Sequence, residues 1–156
     1  VYTGEPLPKD RESVFWLDVL EVPPKPSAAE ADMNRIQLAF RSRIKLFYRP
    51  DNLKGKSADA PSQLAWRLTQ VDGKPALEAR NPTPYYVSVI GITLQSGARK
   101  ATADDSGMIG PGETHAFPLS GDALEAAGAS VHYTTLNDYG ASVGGDTPLG
   151  GAASSK

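Results

Sequence analysis

The side chains best suited to proton transfer near neutral pH in this chain of 156 residues are its two histidines, His115 and His132. Each lies inside an extended segment, where a histidine is more often a surface or hydrogen-bonded residue than a catalyst. The chain has no cysteine and no short His–His spacing, so a zinc site is not indicated. Asp104 and Asp105 lie in a turn, where aspartate is favoured for hydrogen bonds to the backbone. We therefore expect no catalytic residue, no metal site, no cofactor and no enzyme activity.

A run of cations between residues 41 and 49 is the second group that could do chemistry. Basic and aromatic side chains are interleaved there, as in proteins that bind single-stranded nucleic acid: Arg41, Arg43, Lys45, Phe47, Tyr48 and Arg49. The whole chain carries 16 Lys+Arg against 18 Asp+Glu, a net charge of -2, so it has no overall positive field. The glycine-rich segment 107–112 lacks the Lys-Ser/Thr pair that follows a phosphate loop. We expect neither a nucleic-acid partner nor a bound nucleotide.

The segment 34–49 alternates between two kinds of side chain. Even positions are mostly apolar and odd positions mostly cationic, a period of two that predicts a β-strand. A helix is not favoured, because Phe40, Arg43 and Phe47 would then share one stripe. At about 3.3 Å per residue the strand would run roughly 50 Å, against a usual length of about 17–20 Å. Part of it is therefore expected to project or to lie exposed at a sheet edge.

The elements that must position these residues are also predicted to be strands, since 15 Gly and 13 Pro favour turns over helices. β-branched and aromatic residues predict a buried strand at 14–22, and Asp72-Gly73 predicts a type I′ hairpin turn. Further strands are predicted at 64–69, 77–80, 85–94, 98–103, 114–119 and 130–136. Short strands separated by turns at this spacing indicate a β-sandwich.

Composition also divides the chain into segments. The polar stretch 51–61 indicates a domain boundary, so that residues 1–50 and 51–142 form two domains. Residues 143–156 are rich in Gly, Ala and Ser and are expected to be a disordered tail. The longest uncharged apolar stretch, residues 85–94, is much shorter than the roughly 20 residues that span a bilayer, so no direct membrane insertion is expected.

Four motifs occur in the order and spacing of a known family. They are Asp10-Arg11-Glu12-Ser13 before VFWLDVLEVPP, then IKLFYRP at 44–50, NPTPYYV at 81–87 and NDYG at 137–140. Over about residues 5 to 142 the chain resembles the periplasmic pilus-assembly chaperones, the PapD-like family of the chaperone–usher pathway. The resemblance implies an all-β fold of two immunoglobulin-like sandwiches. Residues 1–50 would then supply only the C-terminal strands of the first sandwich, and residues 51–142 the whole of the second.

The resemblance implies a function in the bacterial periplasm: binding, folding and capping pilus subunits without ATP, and delivering them to an outer-membrane usher. Such a chaperone lends a subunit the long edge strand of its first domain, and alternate side chains fill the subunit's pockets. By the family's pattern the inserted residues are Asn34, Ile36, Leu38 and Phe40. The short connection 23–33, without cysteine, resembles the subclass that serves rod-like pili. The residue pattern alone also fits an ordinary core strand of a sandwich.

The resemblance also implies roles for charged residues. Lys45 matches the basic residue that anchors the subunit's C-terminal carboxylate through a charge-assisted hydrogen bond. The residues alone fit a solvated cation on a strand face. Glu12, Arg49 and Asp138 match a salt-bridge trio between the two domains, which would fix the angle between them.

The first domain departs from the family pattern, because residues 1–50 show only two clear strands where about seven are expected. We expect this part to be unstable alone, since an open sheet exposes an apolar face. Either a separate polypeptide supplies the missing strands, or the chain is a truncated remnant; no signal peptide is recognised at Val1. The competing interpretation is an immunoglobulin-like structural or adhesive module that pairs with copies of itself through the same long strand.

Overall fold

The computed structural model describes residues 4, 6–23, 36, 38–103, 105–122 and 125–149. Within these residues the elements are β-strands and two short 3-10 turns, Ser57–Asp59 and Pro61–Gln63, which confirms the predicted all-β class. The chain divides into two compact units. Residues 13–49 form the smaller one, the hairpin unit. The described residues up to Glu12 join those from Pro50 onward in the larger one, the sandwich unit.

Two antiparallel strands make up the hairpin unit, β1 (Ser13–Glu21) and β2 (Phe40–Tyr48), and they pair along their whole length. β1 confirms the strand predicted at 14–22, but the predicted burial is wrong, because none of its side chains is buried. A two-stranded sheet is a single layer, and no other described element of this unit covers either of its faces.

β2 is shorter than the strand predicted from the alternation over 34–49. Phe40 begins the strand because it pairs with Glu21, the last residue of β1. Pro23, two residues further on, has no N–H with which to extend the ladder. Every residue of β2 is exposed, as predicted for a strand that lies at a sheet edge.

Eight strands of the described chain form the sandwich unit. In chain order they are β3 (Ala65–Val71), β4 (Lys74–Arg80), β5 (Val87–Ser96), β6 (Arg99–Ala103), β7 (Gly107–Ile109), β8 (Thr114–Gly121), β9 (Ser130–Leu136) and β10 (Ser142–Pro148). Antiparallel pairing gives the order β10-β9-β5-β6-β8-β4-β3, with β7 beside β5. One layer contains β3 and β4, and the other contains β5, β6, β7, β9 and β10. β8 pairs with β4 as far as Pro118 and with β6 from Leu119, so it crosses from the first layer to the second.

The core of the sandwich unit lies between these layers. The Trp66 ring stacks on Tyr133 with centroids 5.7 Å apart and tilts against Phe117 at 6.3 Å. In β9 the alternation buries Val131, Tyr133 and Thr135 and leaves the residues between them partly exposed. The period of two that predicts this strand therefore also separates its buried face from its solvent face.

The strands β3 and β4 are joined by the tight turn that Asp72-Gly73 predicts. The φ angles of these residues are 52° and 75°, positive at both positions as a type I′ turn requires, so this prediction is confirmed. Away from this turn, Arg67 of β3 and Glu78 of β4 lie opposite each other. Their side chains form an ion pair through two hydrogen bonds of 2.5 and 2.9 Å.

The corner after β4 is held by one buried asparagine. Asn81 is fully buried, and its side-chain amide donates to the carbonyl oxygens of Tyr85 at 2.7 Å and Ile109 at 2.9 Å. Its side-chain oxygen accepts from the N–H of Thr83 at 3.0 Å and from the Thr83 hydroxyl at 2.7 Å. The hydrogen-bonding capacity of the side chain is therefore used completely, and the corner is tied to β7.

The tail predicted from residue 143 is wrong for residues 143–149, which form most of β10 and end in the buried Leu149. The glycine-rich sequence of β10 has little intrinsic strand propensity, and pairing with β9 makes it a strand. Gly145 lies opposite Tyr133, where a Cβ atom would overlap the tyrosine ring. Residues 150–156 lie outside the described residues.

Candidate functional site

The hairpin unit presents two different faces, because residues opposite each other in an antiparallel pair point to the same side. One side is mostly apolar; this apolar face includes Phe15, Leu17, Val19, Phe40, Ile44 and Leu46. The other side carries charge; this cationic face includes Trp16, Asp18, Leu20, Arg41, Arg43 and Lys45. β2 pairs with β1 along one edge only, so within the described chain its second edge has no strand beside it.

The apolar face is open to solvent, with side chains between 37% (Phe15) and 62% (Phe40) exposed. Ile36 and Leu38 precede β2 at the same alternate spacing and are 89% and 64% exposed. Three of the four predicted donor residues are therefore exposed apolar side chains at or just before β2. The fourth, Asn34, lies outside the described residues, as does most of the predicted short connection. A contiguous apolar surface of this kind marks an interaction site.

An ion pair across the two strands occupies the middle of the cationic face. Arg43 donates from Nε to one carboxylate oxygen of Asp18 at 2.6 Å and from Nη2 to the other at 2.8 Å. This side-chain hydrogen bonding lowers the pKa of Asp18 and raises the pKa of Arg43, so both are charged at neutral pH. The charge of Arg43 is thus balanced within the hairpin.

Lys45, the predicted carboxylate anchor, lies opposite Trp16 on the same face. Its Nζ atom is 5.3 Å from the centroid of the Trp16 ring, and Cζ of Arg43 is 5.6 Å from the same ring. Both distances are within the range of cation–π attraction. Among the described residues no carboxylate contacts Lys45, so its ammonium group remains able to bind an anion.

The three residues predicted to link the domains lie in different units. Arg49 ends the hairpin unit, whereas Glu12 and Asp138 belong to the sandwich unit. Glu12 is buried, and its carboxylate accepts from the backbone N–H of Tyr86 at 2.7 Å. Asp138 accepts from the hydroxyl group of Ser57 at 2.9 Å. Both carboxylates therefore have a defined place in the sandwich unit, and the trio itself stays a prediction.

The histidines lie in the sandwich unit. His115 packs its ring on Phe117 with centroids 4.6 Å apart. His132 pairs through Nδ1 with Asp146 on the neighbouring strand, and its Nε2 atom is 3.3 Å from the Ser130 hydroxyl. This serine–histidine–aspartate contact order resembles that of a nucleophilic triad, but it lies on an open sheet face. Ser130 and His132 belong to β9, and the contact between His132 and Asp146 joins β9 to β10.

In the part of the chain that the structure describes, no three His, Asp or Glu side chains are arranged to hold a metal ion. No helix of that part is long and apolar enough to cross a bilayer. The hairpin unit offers three features suited to binding: a strand edge, a row of apolar side chains and, among the described residues, two cations without a carboxylate partner, Arg41 and Lys45.

Sequence reasoning missed the parts of the cationic face contributed by β1. The local pattern marks Asp18 and Trp16 only as members of a strand, because their partners are more than 20 residues away in the chain. One signal was present, since an aspartate interrupts an otherwise apolar run from Val14 to Leu20. Its pairing with Arg43 becomes visible only when the register of the two strands is known.

Two family models match the chain. The pili and flagellar-assembly chaperone, PapD N-terminal domain, matches residues 1–54. The pili assembly chaperone PapD, C-terminal domain, matches residues 59–147. Together they cover both units.

Known proteins give the same result. The probable fimbrial chaperone YadV of Escherichia coli K12 is 46% identical over 144 residues, covering 92% of this chain and 58% of YadV. Chaperone protein FimB/FhaD of Bordetella pertussis is 41% identical over 143 residues, covering 88% of this chain and 52% of its own length. The chain thus spans a little over half the length of these relatives.

Solved structures agree in fold. The crystal structure of the YadV chaperone matches with a TM-score of 0.78 and 42% identity, covering 94% of this chain and 67% of that one. The Pseudomonas aeruginosa CupB2 chaperone matches with a TM-score of 0.72 and 40% identity, covering 96% and 64%.

Proposed function

The chain belongs to the PapD-like family of pilus-assembly chaperones, and on this premise we propose that it binds, folds and caps pilus subunits by lending them strand β2. The proposal places the protein in the bacterial periplasm, where it hands its subunits to an outer-membrane usher without using ATP. Pilus subunits and the usher are its proposed partners. This is a binding function, and the proposal includes no catalysis.

The observation that carries the proposal is the second edge of β2, which has no strand beside it in the described chain. An extended segment of another protein can add to such an edge through main-chain hydrogen bonds, while alternate side chains enter pockets and give specificity. Ile36, Leu38 and Phe40 have the alternate spacing and the exposure that this mode requires.

The magnitudes favour the same three residues. Burying an exposed apolar side chain of this size contributes about 1.5–3 kcal/mol, so three of them supply a large part of the binding free energy. Asn34 is proposed as the fourth inserted residue, two positions before Ile36 in the sequence.

Lys45 is proposed to bind the C-terminal carboxylate of the subunit. Two observations support this role. Lys45 lies on β2 with its Nζ atom 5.3 Å from the centroid of the Trp16 ring, and no carboxylate among the described residues contacts its ammonium group. An ammonium–carboxylate hydrogen bond has a defined geometry, and it would fix where along β2 the subunit strand begins to pair.

We further propose that Glu12, Arg49 and Asp138 set the angle between the two domains of the chaperone, taken as residues 1–50 and 51–142. The burial of Glu12 supports a structural role for that carboxylate. The open apolar face of the hairpin unit supports a further proposal, that other strands of a first immunoglobulin-like domain, supplied by a separate polypeptide, cover it.

The test is capture of a pilus subunit that lacks one strand, co-produced with the chain in a bacterial periplasm and measured by co-purification. Leu38→Glu is expected to abolish capture, because it places a charge in an apolar pocket. Lys45→Ala is expected to weaken it about tenfold or more. Leu136→Glu changes a similarly exposed leucine of the sandwich unit and serves as the matched control, with capture unchanged.

The competing class, a module that pairs with copies of itself, gives a different pattern. Self-association measured by analytical ultracentrifugation would then respond to Leu38→Glu and be indifferent to Lys45→Ala. Capture that is unaffected by both substitutions would overturn the proposed function.

A further inference from the structure

The cationic face carries Arg41, Arg43 and Lys45 at alternate positions of β2. Neighbouring members of this row are about 6.7 Å apart along the strand. A carboxylate that arrives beside Lys45 therefore also meets Arg43 within a short distance. Without its partner, Arg43 would be the stronger of these two neighbouring sites, because a guanidinium binds both carboxylate oxygens while an ammonium acts as a point charge. Arg41 lies about 13 Å from Lys45 along the strand, so a carboxylate reaches it only after a slip of four residues.

The apolar pattern of a bound strand does not decide between these two cations. A slip of one residue turns every side chain to the opposite face and is excluded by the pattern. A slip of two residues keeps each side chain on its face and moves it to the neighbouring pocket. A carboxylate held by Arg43 instead of Lys45 would produce a slip of two residues. Excluding that slip requires an electrostatic interaction in addition to the apolar pattern.

Asp18 is placed to provide this electrostatic interaction. It lies opposite Arg43, and both of its oxygens accept from the guanidinium, at 2.6 and 2.8 Å. The two hydrogen bonds occupy one side of the guanidinium and balance its charge. Trp16, in contrast, contacts both Arg43 and Lys45 through its ring, and a ring contact leaves a cation its charge.

We infer that Asp18 selects the register of a bound strand: it neutralises Arg43, so that the terminal carboxylate of that strand is bound by Lys45. The inference rests on the proposed function, since it concerns the same carboxylate. Asp18 is a positioning residue that acts through Arg43 and does not itself contact the ligand.

The experiment uses the full chain and two nine-residue peptides of alternating valine and threonine, one ending in a free carboxylate and one in an amide. The ratio of their dissociation constants is the carboxylate preference. We expect a preference of about tenfold for the unchanged chain, and a value near one for Lys45→Ala. In the double variant Asp18→Asn with Lys45→Ala, the preference is expected to return to about tenfold, because Arg43 is released.

The return of the preference is the decisive readout, because loss of a merely structural residue would not restore binding of a carboxylate. Adding Arg43→Gln to the double variant should remove it again. Asp18→Glu in the Lys45→Ala background should leave the preference near one, since a carboxylate still covers Arg43. Glu78→Gln releases Arg67 from the equivalent pair in the sandwich unit, and this matched control should change nothing.

A double variant that shows no carboxylate preference overturns the inference, and Asp18→Thr provides a second test if asparagine disturbs the strand, because threonine favours strands. If the unchanged chain and Lys45→Ala both show no preference, the proposed anchor fails. In that case Asp18→Asn alone must create a carboxylate preference, because it releases Arg43. This variant therefore still tests whether Asp18 neutralises Arg43.

Discussion

The sandwich unit and the hairpin unit are both built from antiparallel strands, but only one of them has a core. Leu77, Phe117 and Val131 of the sandwich unit are completely buried. In the hairpin unit no described side chain is buried, and Phe15 and Phe40 of its apolar face are 37% and 62% exposed. Strand pairing is common to both, so the difference lies in the burial of side chains, which contributes about 1.5–3 kcal/mol for each large apolar residue.

Because only the sandwich unit buries large apolar side chains, only the sandwich unit specifies its own structure. An isolated two-stranded hairpin is at best marginally stable in water, and three or more strands or a packed partner are needed for independent stability. The apolar face of β1 and β2 is therefore a surface that gains stability when something covers it. The proposed function covers this face with other strands of a first immunoglobulin-like domain, and it places the row Ile36, Leu38 and Phe40 against a subunit.

Truncating a buried leucine gives the largest expected effect and tests the comparison directly. Leu77→Ala removes a fully buried side chain, and the lost burial and the cavity should lower the free energy of unfolding by about 2–5 kcal/mol. Leu17→Ala in the hairpin unit truncates a leucine that is 44% exposed, and it should lower the value by less than about 1 kcal/mol. Urea denaturation measures each unit through its own tryptophan: the fluorescence of Trp66 in a Trp16→Phe background reports on Leu77→Ala, and that of Trp16 in a Trp66→Phe background reports on Leu17→Ala. Equal effects would show that the hairpin unit has a core of its own.

A buried hydrogen-bond network gives the second effect. Asn81→Ala removes the amide that donates to the carbonyl oxygens of Tyr85 and Ile109 and the oxygen that accepts from the Thr83 N–H, and each buried group left unpaired costs about 1–3 kcal/mol. Asn137→Ala is the matched control, because that exposed asparagine accepts only from loop N–H groups, which water can replace. Thermal unfolding should show a clearly lower midpoint for the first variant. Equal midpoints of thermal unfolding for the two variants would show that the corner is not part of the core.

The third effect concerns the edge strand β10, which fits against the core because Gly145 has no side chain. Gly145→Ala places a Cβ atom against the Tyr133 ring and should destabilise the sandwich unit by about 1–3 kcal/mol through overpacking. Gly144→Ala is the control, since the nearest atom to its Cβ position is a carbonyl oxygen of Tyr133 at 4.0 Å. Hydrogen exchange of β9 and β10 amides measures both. Similar protection in the two variants would contradict the close approach.

The elements that could be predicted from sequence are those whose local pattern and pairing agree. The alternation around Val131 and Tyr133, the Asp72-Gly73 turn and the alternating side chains of β2 all specify their structure over a few residues. β7 and β10 could not be predicted in this way, because their glycines have low strand propensity and only the neighbouring strands β5 and β9 make them strands.

The candidate site divides along the same line. The exposed residues Ile36, Leu38 and Phe40 follow from a period of two within one segment. The pairing of Asp18 with Arg43 depends on the register between two strands that are separated by 18 residues of sequence, and no local pattern encodes that register. The resemblance to a family gave Lys45 a role but gave none to Asp18, although Asp18 lies in the quoted segment VFWLDVLEVPP, because family motifs mark positions and not contacts.

The smallest expected effect concerns two ion pairs with the same chemistry in the two units, Asp18–Arg43 and Arg67–Glu78. The side-chain hydrogen bonds from arginine lower the pKa of both Asp18 and Glu78. A carboxyl group whose pKa is lower in the folded state stabilises that state above its ordinary pKa of about 4, and this stabilisation is lost as the pH falls through the lowered value. Both pairs should therefore weaken in acid, below about pH 4.

The consequences of this weakening should differ, because the sandwich unit keeps its core when the pair is protonated and the hairpin unit has no core to keep. Amide exchange, corrected for its intrinsic pH dependence, should show β1 and β2 losing protection as the pH falls below about 4 while β3 and β4 retain theirs. Asp18→Asn should abolish the pH dependence of the hairpin, and Glu78→Gln should leave it in place. Equal acid sensitivity of the two strand pairs would mean that ion pairing, and not burial, separates the two units, and the comparison would then have to be abandoned.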